Sequence, residues 1–123
     1  MNTVEETIKM AGFGKRKMMR KQIELFEKDL LAGEELLGVA TSFPKPTEQL
    51  YVTNKRIFSH KIKGVFENEK VEIPLSSISS VNTKVKGLSA EIEIVTSNNK
   101  CSVEKIPLNI APEIKKLIDS LVM

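Results

Sequence analysis

Leu50-Tyr51-Val52-Thr53-Asn54-Lys55-Arg56-Ile57-Phe58 decides the architecture, because it reads as two short strands joined at Asn54-Lys55. Leu50 and Val52 alternate with Gln49, Tyr51 and Thr53; beyond the turn, Phe58 and Ile62 alternate with polar or mixed positions. A side-chain period of two belongs to a strand with one buried face, so the stretch predicts a half-buried antiparallel pair. Asn54 is expected to take the backbone geometry that a tight turn needs.

Working outward, short strands are expected on both sides of this pair. Leu36 to Phe43 precedes it and is closed by Pro44-Lys45-Pro46, since neither proline can donate into a ladder. Thr47 to Thr53 and Lys55 to Lys63 form the pair itself. A fourth strand runs over roughly Val65 to Ile73, bulged or looped at Glu67-Asn68-Glu69 and ended by Pro74. Leu75-Ser76-Ser77-Ile78 is too short for a helix and reads as a corner into a fifth strand, Ile78 to Lys86, ended at Gly87. Ala90 to Thr96 and Cys101 to Ile106 make a hairpin around Ser97-Asn98-Asn99-Lys100.

After Pro107 the spacing becomes helical. Ile114, Leu117, Ile118 and Leu121 share one face, and Pro112 fits only a first turn, so a helix begins within a residue or two of Asn109. About seven strands followed by one amphipathic helix describe a small antiparallel barrel or sandwich with an open end plugged by the helix.

The N-terminal part is different. Lys9, Lys15, Arg16, Lys17, Arg20 and Lys21 form a block with no acid, interrupted by Gly12 and Gly14 around Phe13. The glycines predict a joint followed by a firmer helix from about Lys15 to Ala32, capped by Gly33. Met19, Ile23, Phe26 and Leu30 share a face of that helix. Such a stripe either packs on its own domain or forms a docking surface for a partner or a sister subunit. Residues 1–31 are thus expected as a basic helical segment and 32–123 as the folded domain.

The chain of 123 residues, 41% hydrophobic and 28% charged, is long enough for one core without disulfides. No apolar run approaches the ~20 residues of a membrane span. Acids occupy the N-terminus where a secretory signal carries cations, so cytoplasmic residence is the expectation. The formal net charge of +3 is too mild to name a partner.

No catalytic, metal or cofactor site is expected. His60 is the sole histidine, which rules out a two-histidine metal site, and no acidic residue near it in sequence would orient it as a base. Ser76, Ser77, Ser79 and Ser80 lack a glycine-flanked elbow or a phosphate-cradling loop. Glu91 and Glu93 lie two apart on a strand, a spacing common on any solvated face. Cys101, the only cysteine, reads as a small packed strand residue.

Leu31-Ala32-Gly33-Glu34-Glu35, the stretch from Leu50 to Ile57, and Ile73-Pro74-Leu75-Ser76-Ser77-Ile78-Ser79-Ser80-Val81 together resemble the bacterial pleckstrin-homology-like (PH-like) family, of the small YokE-like type found in bacteria and their phages. The resemblance covers about residues 30–122. It implies an α+β, mainly β fold: a seven-stranded, strongly bent antiparallel barrel capped by a C-terminal helix, here with an added N-terminal helical segment. It also implies a groove beside an exposed strand edge and the C-terminal helix, where an extended peptide can add as a strand.

The expected function is therefore a non-enzymatic adaptor that binds a protein or peptide, or itself, with the N-terminal helix as docking element. The alternative is a peripheral binder of acidic phospholipid. Its surface would combine Lys15, Arg16, Lys17, Arg20 and Lys21 with Lys61, Lys63, Lys84 and Lys86, the last four paired at strand spacing. Nucleic acid is a weaker alternative, for want of aromatic residues and of a reader motif. Phage relatives add a further one, an inhibitor of a host protein.

Overall fold

The computed structural model describes residues 16–45 and 47–122, with side chains from Arg20 onward. The element order is α1 (Arg16–Glu27), β1 (Leu36–Thr41), β2 (Glu48–Thr53), β3 (Arg56–Ile62), β4 (Asn68–Pro74), a single 3-10 turn (Leu75–Ser77), β5 (Ile78–Lys86), β6 (Ser89–Thr96), β7 (Lys100–Pro107) and α2 (Ala111–Val122). All strand pairing is antiparallel, in a four-stranded sheet ordered β1-β2-β3-β4 and a three-stranded sheet ordered β5-β6-β7. The order of seven strands, the Asn54-Lys55 break and the capping helix stand where the sequence places them, except that β4 begins at Asn68 rather than Val65. Asn68 and Glu69 pair in regular register with Ile62 and Lys61, and Val65 and Phe66 form the exposed tip before them.

One core fills the space between the sheets. It gathers Leu50 and Val52 of β2, Ile57 of β3, Ile92 and Ile94 of β6 and Val103 of β7, and α2 closes it with Ile114 and Ile118. Those two helix residues are fully buried, while Leu117 and Leu121 pack from the half-exposed margin. Pro112 sits in the first turn of α2, where its missing N–H has no helical partner to lose.

Several local expectations change. On β3 it is Ile57 and Ser59, not Phe58 and Ile62, that face the core. The register decides this, because Val52 pairs with Ile57 and Leu50 with Ser59, and directly opposite residues share a face. β2 is buried on both faces rather than one: Gln49 and Tyr51 are 1% and 4% exposed because α1 covers the outer side.

Gly33 is not the cap of α1, which ends at Glu27. It has φ +78° inside a turn closed by the Glu34 N–H donating to the Leu31 carbonyl. That is the left-handed third position of a type II turn, where glycine fits without strain. Asn54 does not take the left-handed conformation. Its side chain does the work instead, accepting from the Glu35 N–H and donating to the Gly33 carbonyl. The turn it sits in is held by Thr53 Oγ1, which accepts the N–H groups of Lys55 and Arg56. The corner at Leu75 is one turn of 3-10 helix, and the peptide between Phe43 and Pro44 is cis.

Candidate functional site

Three surfaces bear on function. The first carries the lysines of the expected patch. Lys84 pairs across the strands with Glu91, and its Nζ lies 3.6 Å from Glu93 Oε2 and 4.0 Å from Glu91 Oε1. Lys86 Nζ lies 3.3 Å from Glu91 Oε2 and 3.4 Å from Glu104 Oε1. Lys61 stands 3.8 Å from Glu48, whose Oε1 also accepts the Glu104 N–H, and Lys63 donates to Glu69 at 2.8 Å. The Glu91 and then the Glu104 carboxylate raise the Lys86 pKa, as Glu69 does for Lys63.

Every one of these four lysines thus faces a carboxylate, and the strands carry a mixed-charge belt. The alternation that puts Lys84 and Lys86 on one face also puts Glu91 and Glu93 opposite them. Arg20 and Lys21 are exposed on α1. Lys9 and Lys15, the glycine joint, and the side chains of Arg16, Lys17 and Met19 lie outside the described residues.

The second surface is the outer face of the four-stranded sheet, over which α1 lies. Ile23, the buried residue of the expected stripe, packs on Val39 and Tyr51. Phe26 stacks on Tyr51 with ring centroids 4.3 Å apart and meets Phe58 edge-on at 4.9 Å. Gln49 joins the layers, donating to Gln22 at 2.8 Å and accepting the Tyr51 hydroxyl at 2.7 Å. Burial pushes the Tyr51 phenol up to about 12. Two of the four stripe residues are therefore engaged with the chain's own sheet, and Leu30 is half-buried. A groove of about 320 Å³ remains beside them, reaching His60 and Lys70, with Leu25 at its rim. His60 Nε2 lies 3.2 Å from Asn68 Oδ1, an amide rather than a carboxylate.

The linker from α1 is anchored by a buried ion pair that sequence reading did not single out. Glu34, whose side chain is wholly buried, receives Arg56 through Nε and Nη2, each at 2.8 Å. The Leu31 N–H and the Thr53 hydroxyl also donate to Glu34. Arg56 in turn reaches Glu72 at 3.0 Å and lies 4.5 Å above the Phe58 ring. The Arg56 hydrogen bonds hold the Glu34 carboxyl at about 2, against the opposing effect of burial. Its role is to fix the linker, and hence α1, against the β2–β3 turn.

The third surface is an open seam. β4 ends one sheet and β7 ends the other, and between their edges lies a cleft of about 530 Å³. Val71, Ile73 and Cys101 form its floor, continuous with the core, and the Ser97–Asn99 turn overhangs one end. The Cys101 thiol is free and half-buried. Toward its C-terminal end β7 is covered, since the Phe43 N–H donates to the Lys105 carbonyl at 3.0 Å. Lys105 has φ 58° in a bulge opposite Glu91. Among the described residues no group of three His, Cys, Asp or Glu side chains is arranged to hold a metal ion, and no helix is long and apolar enough to cross a membrane.

Two bent antiparallel sheets closed by a C-terminal helix define a pleckstrin-homology-like fold. The family model described as "Bacterial PH domain" matches residues 30–120, and the chain belongs to that family. Among solved structures, it is similar to a pleckstrin homology domain from Shewanella amazonensis SB2B, with TM-score 0.65 and 18% identity over 85% of this chain and 87% of that one. It is also similar to a DUF1696 family protein with a pleckstrin-homology domain from Shewanella loihica PV-4, with TM-score 0.62 and 14% identity over 85% and 96% of the two chains. At such identities the likeness concerns the fold. Comparison with curated proteins finds no match.

Proposed function

We propose that this chain is a non-enzymatic binding module, an adaptor that engages a segment of a protein or peptide. Residues 32–123 act as the binding domain, residues 1–31 as an appended basic helical segment, and the setting is cytoplasmic. The observation that carries this reading is the seam between β4 and β7, a cleft with an apolar floor and polar walls. Binding sites are typically concave, mostly apolar and edged with a few polar groups.

The test fills the cleft. Ser77 lines it from the exposed 3-10 turn, so Ser77→Trp should crowd it without entering the core. Affinity capture from a lysate of the source organism, by the parent and by the variant at equal thermal stability, should show proteins retained by the parent and lost by the variant. An identical set captured by both would remove the cleft from the function.

A second reading, peripheral attachment to acidic phospholipid, has one observation in its favour. Val65 and Phe66 at the β3–β4 tip and Leu88 at the β5–β6 tip are almost fully exposed. Co-sedimentation with phosphatidylserine vesicles tests it, and tight binding lost in Phe66→Ser with Leu88→Ser would favour the lipid over the peptide.

A further inference from the structure

The backbone of β4 points to a specific occupant of the seam. In an antiparallel pair, opposed residues alternate between exchanging both main-chain hydrogen bonds and exchanging none. Two bonds just beyond the β3–β4 ladder fix its phase: the Leu75 N–H donates to the Lys55 carbonyl at 3.2 Å, and the Lys63 N–H to the Glu67 carbonyl at 2.9 Å. Both continue the register in which Arg56 faces Pro74 and Ile62 faces Asn68. The bonded pairs are therefore Ile57–Ile73, Ser59–Val71 and Lys61–Glu69.

It follows that the N–H and C=O groups of Lys70 and Glu72 point away from β3, along the open edge on which Glu69, Val71, Glu72 and Ile73 line the cleft. Pro74 has the same parity, so its missing N–H costs the ladder nothing. Among the described residues no backbone or side-chain group bonds to those outward groups. β7 differs, its far edge being partly taken by Phe43 and Glu48. A free row of alternating donors and acceptors beside an apolar floor is complementary to one kind of ligand, another extended chain.

We propose that the seam binds an extended peptide as an added strand on the open edge of β4. This rests on the binding-module reading and names its partner. Residues of the peptide opposite Val71 and Ile73 turn inward onto the floor shared with Cys101, and those opposite Lys70 and Glu72 turn outward. The favoured sequence therefore alternates apolar and polar residues. Glu69, Glu72 and Lys61 already stand in ion pairs with Lys63, Arg56 and Glu48, and among the described lining residues Lys100 is the cation outside such a pair, so the walls call for a peptide that is neutral or mildly acidic.

The experiment pans random peptides displayed on phage against the full chain and uses synthetic copies of those recovered. Lys70→Pro removes an outward donor without breaking the β3–β4 ladder, and melting confirms that the variant is folded. Binding should weaken about tenfold or more, the net loss of a main-chain hydrogen bond together with the steric block. Synthetic peptides N-methylated at alternate amides give a readout that needs no variant: methylation at one parity should abolish binding, and at the other leave it unchanged. Bound peptide should also slow thiol labelling of Cys101 several-fold. Peptides indifferent to both Lys70→Pro and methylation parity would overturn strand addition while leaving the binding-module reading intact. Failure to recover any peptide would remove both. Self-association of the chain alone, abolished by Lys70→Pro, would assign the edge to a second copy and overturn the peptide.

Discussion

Glu34 shows how one carboxylate can settle a chain path. With its side chain buried, it accepts two bonds from Arg56, one from Thr53 and one from Leu31, so its charge is fully compensated. Its folded pKa of about 2 against an ordinary 4.5 corresponds to about 3 kcal/mol in favour of the folded state. The folded pKa is the lower one, so this contribution is complete above about pH 4.5 and is lost as pH falls toward 2. Urea unfolding between those pH values should show the decline. Glu34→Gln should cost about 3 to 5 kcal/mol at neutral pH, because Arg56 loses its buried partner, and should flatten the acid limb. A variant with the parent's acid limb would show that other carboxylates dominate it.

The two helices do different jobs, and each makes a separate prediction. α2 completes the core: Ile114→Ala or Ile118→Ala should cost about 2 to 5 kcal/mol, and Leu117→Ala less, since only the first two are fully buried. Equal losses at all three would contradict the packing. α1 instead covers an outer face through Ile23 and Phe26, and Tyr51, the sole tyrosine in a chain without tryptophan, reports on it. Phe26→Ala removes a stacked ring and should lower the Tyr51 pKa from about 12 toward 10, read by ultraviolet titration. Because this folded pKa is the raised one, the parent should lose stability as pH rises from about 10 to 12, and the variant should lose less. An unchanged phenol would mean that α1 does not shield it.

Across the protein, the family match begins at residue 30, after α1. A chain starting at Leu30 should retain cooperative melting, since the core between the sheets draws nothing from α1. It should melt lower and scatter more light, because Val39, Tyr51 and Phe58 lose their cover. Complete unfolding on truncation would make α1 part of the domain proper. The charge belt argues that neutralising Lys84 and Lys86 together should alter vesicle binding little, as both already face Glu91.

The order of seven strands and a capping helix was legible from residue 36 onward, because period-two stretches punctuated by Pro44, Pro74 and Gly87 are local signals. So was the placement of α2, where Pro112 and the spacing of Ile114 and Ile118 agree. Only tertiary structure decided which face of β3 is buried, since Ile57 and Phe58 are both apolar and the register with β2 breaks the tie. It alone showed β2 to be covered twice, because the cover comes from a helix more than twenty residues upstream. The Glu34–Arg56 pair and the Lys84–Glu91 belt were likewise hidden: a charge in sequence carries no mark of its partner. The seam was hidden for a related reason, because an open edge is defined by the absence of a neighbouring strand, and that depends on how the two sheets splay in space.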